Sequence, residues 1–286
     1  RLDVPEEIRD PEFWREFRRR VKAANPDAYI VAEIWDPRPE VLRGDQYDAL
    51  MNYPFMTAVL SFVANGFHDD ASIGAHYTIR SNVQADDARR FAERLTHILT
   101  MYDPAVTASQ LNLLDSHDTP RFLTMASDDM ASLRLATLIQ MTVPGAPSIY
   151  YGDEIGMRGG HDPDSRRAFP WHAPETWDRD LLAYVSAAAR LRHDTDVLRH
   201  GAFRVVGADG MAMAYLRSDE RDATVVAINA GSAPTRLEID LPELSDRTLR
   251  PVALPGDAPG TPVTVTGGRA VLDLPARSGR VHQLEG

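Results

Sequence analysis

Two short apolar runs, Tyr29–Ala32 and Leu111–Leu114 (the second with one polar residue, Asn112), each end directly on a loop of chemically active residues: Glu33-Ile34-Trp35-Asp36 and Asp115-Ser116-His117-Asp118. Near-continuous rather than alternating hydrophobicity predicts strands buried on both faces, the condition of a parallel sheet covered by helices. The sequence between supplies those helices. Asp10-Pro11-Glu12 is a helix start, with a capping carboxylate, proline at the first helical position and an acid in the first turn. Phe13, Trp14, Phe17 and Val21 then recur at helical spacing until Asn25-Pro26 stops the run. Asp86–Tyr102 reads as an amphipathic helix with Phe91, Leu95, Ile98 and Leu99 on one side, and Ala131–Thr142 and Leu181–Leu191 read as two more. Asp48–Asn52 and Ser148–Tyr151 read as further strands, the second ending on Gly152-Asp153-Glu154. Strands alternating with helices indicate parallel βαβ units. In a β/α barrel the carboxyl ends of such strands carry the chemistry.

After about residue 202 the texture changes. Met211–Arg217, Thr224–Asn229, Arg236–Leu241, Val263–Thr266 and Ala270–Leu274 are short strand-like segments separated by Gly, Pro, Ser and Asp. They predict a small all-β domain over 202–286, with Leu254–Pro262 as a surface loop. A chain of 286 residues accommodates such a pair of domains. Its 31 basic and 42 acidic residues give a net charge of −11, which argues against a nucleic-acid or anionic-membrane surface. No apolar run approaches the ~20 residues needed to cross a bilayer. Without cysteine, disulfides, zinc thiolates, iron–sulfur clusters and a Cys nucleophile are excluded. That composition fits a reducing compartment, and a bacterial cytoplasm is the expectation. The first residue is Arg1, so the sequence is silent on a signal peptide.

Three acids stand beside apolar segments: Asp3, Glu33 and Asp118. Glycosidic cleavage needs two carboxyl groups, one ionised and one protonated. A third can anchor sugar hydroxyls. Acids at strand ends are also common helix caps, and Asp3-Val4-Pro5-Glu6 fits a capping box equally well. Other chemistries find less support. His161-Asp162 and His68-Asp69-Asp70 lack metal-ligand spacing. Gly156–Gly160 has no following Lys-Ser/Thr, so it is not a phosphate loop, and no Gly-x-Ser-x-Gly elbow exists.

The residues around the three acids sharpen the reading. Arg1-Leu2-Asp3-Val4, Val31-Ala32-Glu33-Ile34-Trp35 and Asn112-Leu113-Leu114-Asp115-Ser116-His117-Asp118-Thr119-Pro120-Arg121 resemble three signature segments of the alpha-amylase superfamily, in family order and 30 and 85 residues apart. Leu42–Asp48 with Met51-Asn52-Tyr53-Pro54-Phe55, and Ile149–Met157 followed by Gly159-Gly160-His161-Asp162-Pro163 and Arg166, resemble its neopullulanase, cyclomaltodextrinase and maltogenic amylase branch. The matches run from Arg1 to about Trp171; the β domain matches only in placement.

The resemblance implies a fold and a set of roles. The fold would be α/β: residues 1–201 the second half of a TIM (β/α)8 barrel, from the end of strand 4, followed over 202–286 by a small antiparallel β-sandwich. Asp3 would be the nucleophile, aimed by Arg1. Glu33 would be the general acid and base, with its pKa raised by burial or by a neighbouring negative charge. Asp118 and His117 would bind the distorted sugar. Net retention would place the Asp3 and Glu33 carboxyls ~5–5.5 Å apart. Trp35 would stack on a leaving-group sugar, or simply pack in the core. Glu7 would face the acceptor side, or be a solvated first-turn acid. Asp162 and Arg166 would hold a glucose on the non-reducing side, or form a surface ion pair. Asp153 and Glu154 would serve loop structure.

The implied activity is retaining cleavage of α-1,4-glucosidic bonds in maltooligosaccharides, cyclodextrins or pullulan and starch, with transglycosylation. An exo-acting alpha-glucosidase, a glucanotransferase or a noncatalytic barrel relative are the alternatives. No cofactor is implied; calcium serves some relatives, but this segment shows no convincing site. The partner would be an alpha-glucan oligosaccharide, and the full-length enzyme could be a homodimer. The family's first signature segment, with its Asp and His, and the first strands of the barrel are missing. Asp36 stands where relatives often carry His, and Pro5-Glu6 where they often carry Ala-Asn. A half barrel exposes strand edges, so the isolated chain is expected to be inactive or poorly folded.

Overall fold

Capping chemistry places the first helix. In the computed structural model, which describes residues 1–74 and 76–285, the Asp10 carboxylate accepts the backbone N–H groups of Glu12 (3.0 Å) and Phe13 (3.4 Å). The helix Pro11–Ala24 follows, and Asn25 ends it in an extended conformation. Its lower half is tied to the sheet by Asp48, which receives Arg18 at 2.7 Å, Lys22 at 3.0 Å and the amide of Ile30 at 2.8 Å.

Four short parallel strands build the first sheet region: β1 (Val31–Ala32), β2 (Ala49–Leu50), β3 (Leu111–Leu113) and β4 (Ala146–Ser148). β1 pairs with β2 and β3 with β4, both parallel. Parallel bridges Leu2–Ala32 and Met51–Leu111 extend the pairing on one side and join the two pairs in the middle. The order is therefore Leu2, β1, β2, β3, β4, an open arc of neighbours in chain order. Glu33 follows β1 directly, and the Asp115–Asp118 loop follows β3.

The fourth strand lies earlier than the sequence predicts. Ser148–Tyr151 is not the strand; Ala146–Ser148 is. Gly145 fixes its start with φ 117°, and a Cβ there would lie 2.3 Å from the Asn112 amide nitrogen. Tyr150 and Tyr151 then leave the sheet to lie against the Arg121 guanidinium, at 4.5 and 5.0 Å.

The helix Tyr53–Val63, which the sequence reading missed, is the centre of the largest core. Every residue but Pro54 is buried, so it carries no amphipathic stripe. It packs on the helix Ala88–Thr100, with Phe62 stacked on Phe91 at 4.6 Å, and on Met130–Thr142. The helix Arg179–Asp194 covers the latter.

The second region holds β5 (Ala202–Asp209), β6 (Ala212–Ser218), β7 (Ala223–Asn229), β8 (Thr235–Asp240), β9 (Thr248–Val252), β10 (Val263–Thr264), β11 (Arg269–Leu274) and β12 (Ser278–Leu284). Six form one antiparallel sheet, order β10-β9-β12-β7-β6-β5, and β8 pairs with β11 separately. Leu237, Ile239, Leu272 and Leu274 of the pair share a core with Leu216, Val225 and Ala227 of the sheet. The sheet's other face gives Met213, Tyr215, Val226, Ile228 and Val281 to the core of the first region. Arg217 joins the two: fully buried, it donates to the carbonyls of Thr142 (2.6 Å), Leu198 (2.9 Å) and Gly201 (2.9 Å), capping the end of the helix Met130–Thr142. No described helix is long and apolar enough to cross a membrane.

Candidate active site

Leu2 enters the sheet beside β1: its amide donates to Val31 (2.9 Å), and Glu33 donates back to Leu2 (3.0 Å). That pairing sets Arg1, Asp3 and Glu33 side by side at the carboxyl end of the strands. The Arg1 guanidinium touches all three sequence-predicted acids. Nη1 contacts Asp3, while Nη2 lies 2.8 Å from Glu33 Oε2 and 3.6 Å from Asp118 Oδ2. One cation therefore gathers carboxyls from positions 3, 33 and 118.

The capping reading of Asp3 fails locally. Val4, not Asp3, occupies the cap of the short turn Pro5–Glu7, and no side chain caps it. Val4 adopts φ 33°, in the left-handed region that a β-branched residue avoids. The strained turn directs the Val4 amide at Glu33 Oε2, 3.2 Å away.

The two predicted reaction partners sit in contrasting surroundings. The Asp3 side chain is 77% exposed and the Glu33 side chain 5%. Burial pushes the Glu33 carboxyl above the usual range, and the neighbouring Asp118 carboxyl pushes it the same way; the Val4 amide and Arg1 oppose this without overcoming it.

Asp118 is held from four directions. Ser116 Oγ accepts its amide at 3.1 Å, His117 Nε2 lies 3.1 Å from Oδ2, Arg166 Nη2 binds Oδ1 at 3.0 Å, and Arg1 approaches as above. Arg166 Nε also binds Asp162 at 2.7 Å and the His117 carbonyl at 3.0 Å. Asp162 and Arg166 thus belong to the same network as Asp118.

Trp35 stacks in parallel on Tyr53 (3.6 Å) and on His76 (4.5 Å), and Tyr53 reaches Ser116 at 3.2 Å. Glu7 is exposed, and the described residues give its side chain no hydrogen bond or ion pair.

Beneath the His117–Asp118 loop lies a buried group whose members the sequence reading named but did not connect. Arg121, fully buried, donates to the carbonyl of Tyr151 (2.8 Å) and to Asp153 (3.2 Å), and Asp115 accepts the Phe122 amide. Burial pushes Asp115 up to about 6 and raises Asp153 well above the carboxylate range, Asp115 adding to the latter. Burial thus favours the protonated forms of both carboxyls, and the Arg121 contacts fix the loop from below. Glu154 Oε2 accepts the Gly152 amide (2.7 Å), so Asp153 and Glu154 do serve loop structure. Positions 115, 121 and 153 carry no spacing signal, since only the β3–β4 pairing brings them together. His68 and Asp69 are engaged locally, with the Leu60 carbonyl (3.2 Å) and the Ser72 amide (3.3 Å).

The raised Glu33 pKa carries a stability signature. A carboxyl that holds its proton more tightly in the folded state opposes folding once ionised. Stability is therefore fullest below the ordinary glutamate range, near pH 4.3, and declines as pH rises through the folded value. Glu33→Gln cannot ionise and removes that decline. Thermal melts of the full-length polypeptide are expected to show the variant above the parent at pH 8, the gap closing toward pH 4. Equal melting at pH 8 would mean that the Glu33 charge costs nothing.

The arc of parallel strands with three carboxyls at its carboxyl end has the layout of part of a β/α barrel. Residues 2–201 match the family model for the alpha amylase catalytic domain. The chain belongs to the alpha-amylase family. It is 43% identical over 235 residues to a cyclomaltodextrinase of Bacillus sp, covering 82% of this chain and 38% of that protein. It is 42% identical over 252 residues to neopullulanase 2 of Thermoactinomyces vulgaris, covering 87% and 39%. Among solved structures, the debranching enzyme of Nostoc punctiforme superposes with a TM-score of 0.89 at 37% identity, over 98% of this chain and 57% of that one. The chain thus spans less than two fifths of the length of these curated relatives.

Proposed function

We propose that residues 1–201 are the second half of the catalytic barrel of a retaining enzyme that cleaves α-1,4-glucosidic bonds in maltooligosaccharides, cyclodextrins and related glucans, with some transfer to acceptor sugars. Residues 202–286 form its C-terminal β domain, a sandwich of the six-stranded sheet on the β8–β11 pair. The observation that carries the reading is the meeting of Asp3, Glu33 and Asp118 at one guanidinium.

The roles follow from the surroundings. Glu33, buried and raised, holds the proton that the departing glycosidic oxygen takes up. Asp3, exposed and beside Arg1, attacks the anomeric carbon and forms the glycosyl ester. Glu33, now ionised, removes a proton from water or an acceptor hydroxyl, which attacks the ester from the face the leaving group vacated. Two inversions restore the α configuration. Two carboxyls on the Nη atoms of one arginine suit the ~5–5.5 Å spacing of retaining pairs. Asp118, locked by Arg166 and His117, hydrogen-bonds sugar hydroxyls while the ring flattens. Trp35 with Tyr53 and His76 forms an aromatic wall beside Glu33. These side chains supply the acid, base and nucleophile without a cofactor.

The product profile tests this reading. The full-length polypeptide is expected to open β-cyclodextrin and to cut maltoheptaose internally. Release of single glucose units from chain ends, with cyclodextrin left intact, would favour an exo-acting alpha-glucosidase instead.

A further inference from the structure

The strand β12 breaks the logic of the sheet it sits in. Its residues alternate between two apolar surroundings. Gly279 and Val281 face the barrel helices: a Cβ on Gly279 would meet Leu138 at 2.3 Å, and Val281 is part of that core. Residues 280, 282 and 284 take the opposite side, where Leu284 packs on the second core. Apolar side chains belong there, yet the chain places Arg280 (9% exposed) and His282 (3% exposed).

Both line a cavity of about 770 Å³ between β12, the β8–β11 pair and the loop after Leu254. Its walls are apolar at Val263, Leu272 and Pro275 and carry hydroxyls at Thr235 and Thr261. This volume falls in the range of small-molecule sites.

Charge singles out what the cavity would hold. Of five guanidinium donors, Arg280 uses one hydrogen bond, to the Gly279 carbonyl at 3.2 Å. No carboxylate lies within ion-pair distance of it among the described residues. Asp257, whose carboxyl feels the Arg280 charge, is already paired with Arg134 at 3.2 Å. At the rim, Arg236 and Asp273 neutralise each other at 3.2 Å. Burial holds the His282 imidazole toward its neutral form, and its Nε2 lies 3.3 Å from the Thr261 carbonyl. The cavity lining therefore keeps one uncompensated positive charge in a chain of net charge −11. The remaining guanidinium N–H groups make no hydrogen bond to the described residues and open to the cavity, and an oxyanion is the partner their fork geometry suits best.

We propose that this cavity is a second ligand site, separate from the catalytic carboxyls, for a sugar-sized molecule bearing a phosphate or carboxylate that Arg280 binds. Calorimetric titration of the full-length polypeptide with glucose 6-phosphate, glucuronate and glucose tests it. At least one of the two anions is expected to bind, and which one identifies the source of the oxyanion; glucose alone is not expected to bind here. Arg280→Met should weaken that binding at least tenfold while leaving glucan hydrolysis unchanged. Glu33→Gln should leave the anion binding intact. Thr235→Trp keeps Arg280 and crowds the cavity; it too should weaken binding, and it decides the matter if Arg280→Met does not fold, as read by circular dichroism. Failure of both anions to bind at millimolar concentration, or binding indifferent to a folded variant, would overturn the proposal.

Discussion

Glu33→Gln in the full-length polypeptide is expected to lower turnover of maltoheptaose by about 10³-fold or more, the range of a lost general acid. The substitution keeps the size of the side chain and a hydrogen-bonding oxygen for the Val4 amide, so oligosaccharide affinity should change little. The loss should depend on the leaving group. A glycosyl fluoride departs without a proton, so α-maltosyl fluoride should be consumed by the variant far faster, relative to parent, than maltoheptaose. The parent's kcat/KM should fall on the alkaline side as Glu33 loses its proton. That limb lies above the usual carboxylate range because burial raises the group, and it should vanish in the variant acting on the fluoride. Equal losses on both substrates would assign Glu33 a role other than proton donation.

Asp3→Asn is expected to behave differently, and the contrast separates the two acids. With the nucleophile gone, no glycosyl ester forms whatever the leaving group, so maltoheptaose and α-maltosyl fluoride should both lose on the order of 10⁴-fold or more. That is about 5 kcal/mol of transition-state stabilisation. The Asp3 side chain is exposed and, among the described residues, bonded only to Arg1, so its replacement should leave the unfolding free energy within about 1 kcal/mol of the parent's. Activity toward the fluoride comparable to the parent's would mean that another group attacks the sugar.

What could be read from the chain, and what could not, follows from how each signal is written. The helices Pro11–Ala24 and Ala88–Thr100 were legible because one face of each is wet: Phe91, Leu95 and Ile98 recur against exposed neighbours. The helix Tyr53–Val63 was not, because burial on all sides erases the period. β8 and β11 alternate cleanly between buried and exposed residues, and the sequence placed both. β5, interrupted by an irregular register between Val205 and Gly207, and β12, with Arg280 and His282 on a core-facing side, hid from the same test. At the site, the motifs named Arg1, Asp3, Glu33, His117 and Asp118, and the fold brings all five into one network. Arg166 and Asp162 join it through contacts that sequence spacing could only suggest. The Asp115–Arg121–Asp153 group was out of reach, since its meaning lies in burial and in contacts that only the folded chain makes.

The covalent intermediate tests the central claim most directly. In the Glu33→Gln variant an activated α-maltosyl fluoride should load the nucleophile, while the deacylation that needs the Glu33 base is slowed. Rapid acid quench, proteolysis and mass spectrometry should then find a maltosyl ester on the peptide containing Asp3. An ester on any other carboxylate, or turnover of the fluoride with β-maltose as the first product and no adduct, would contradict the account.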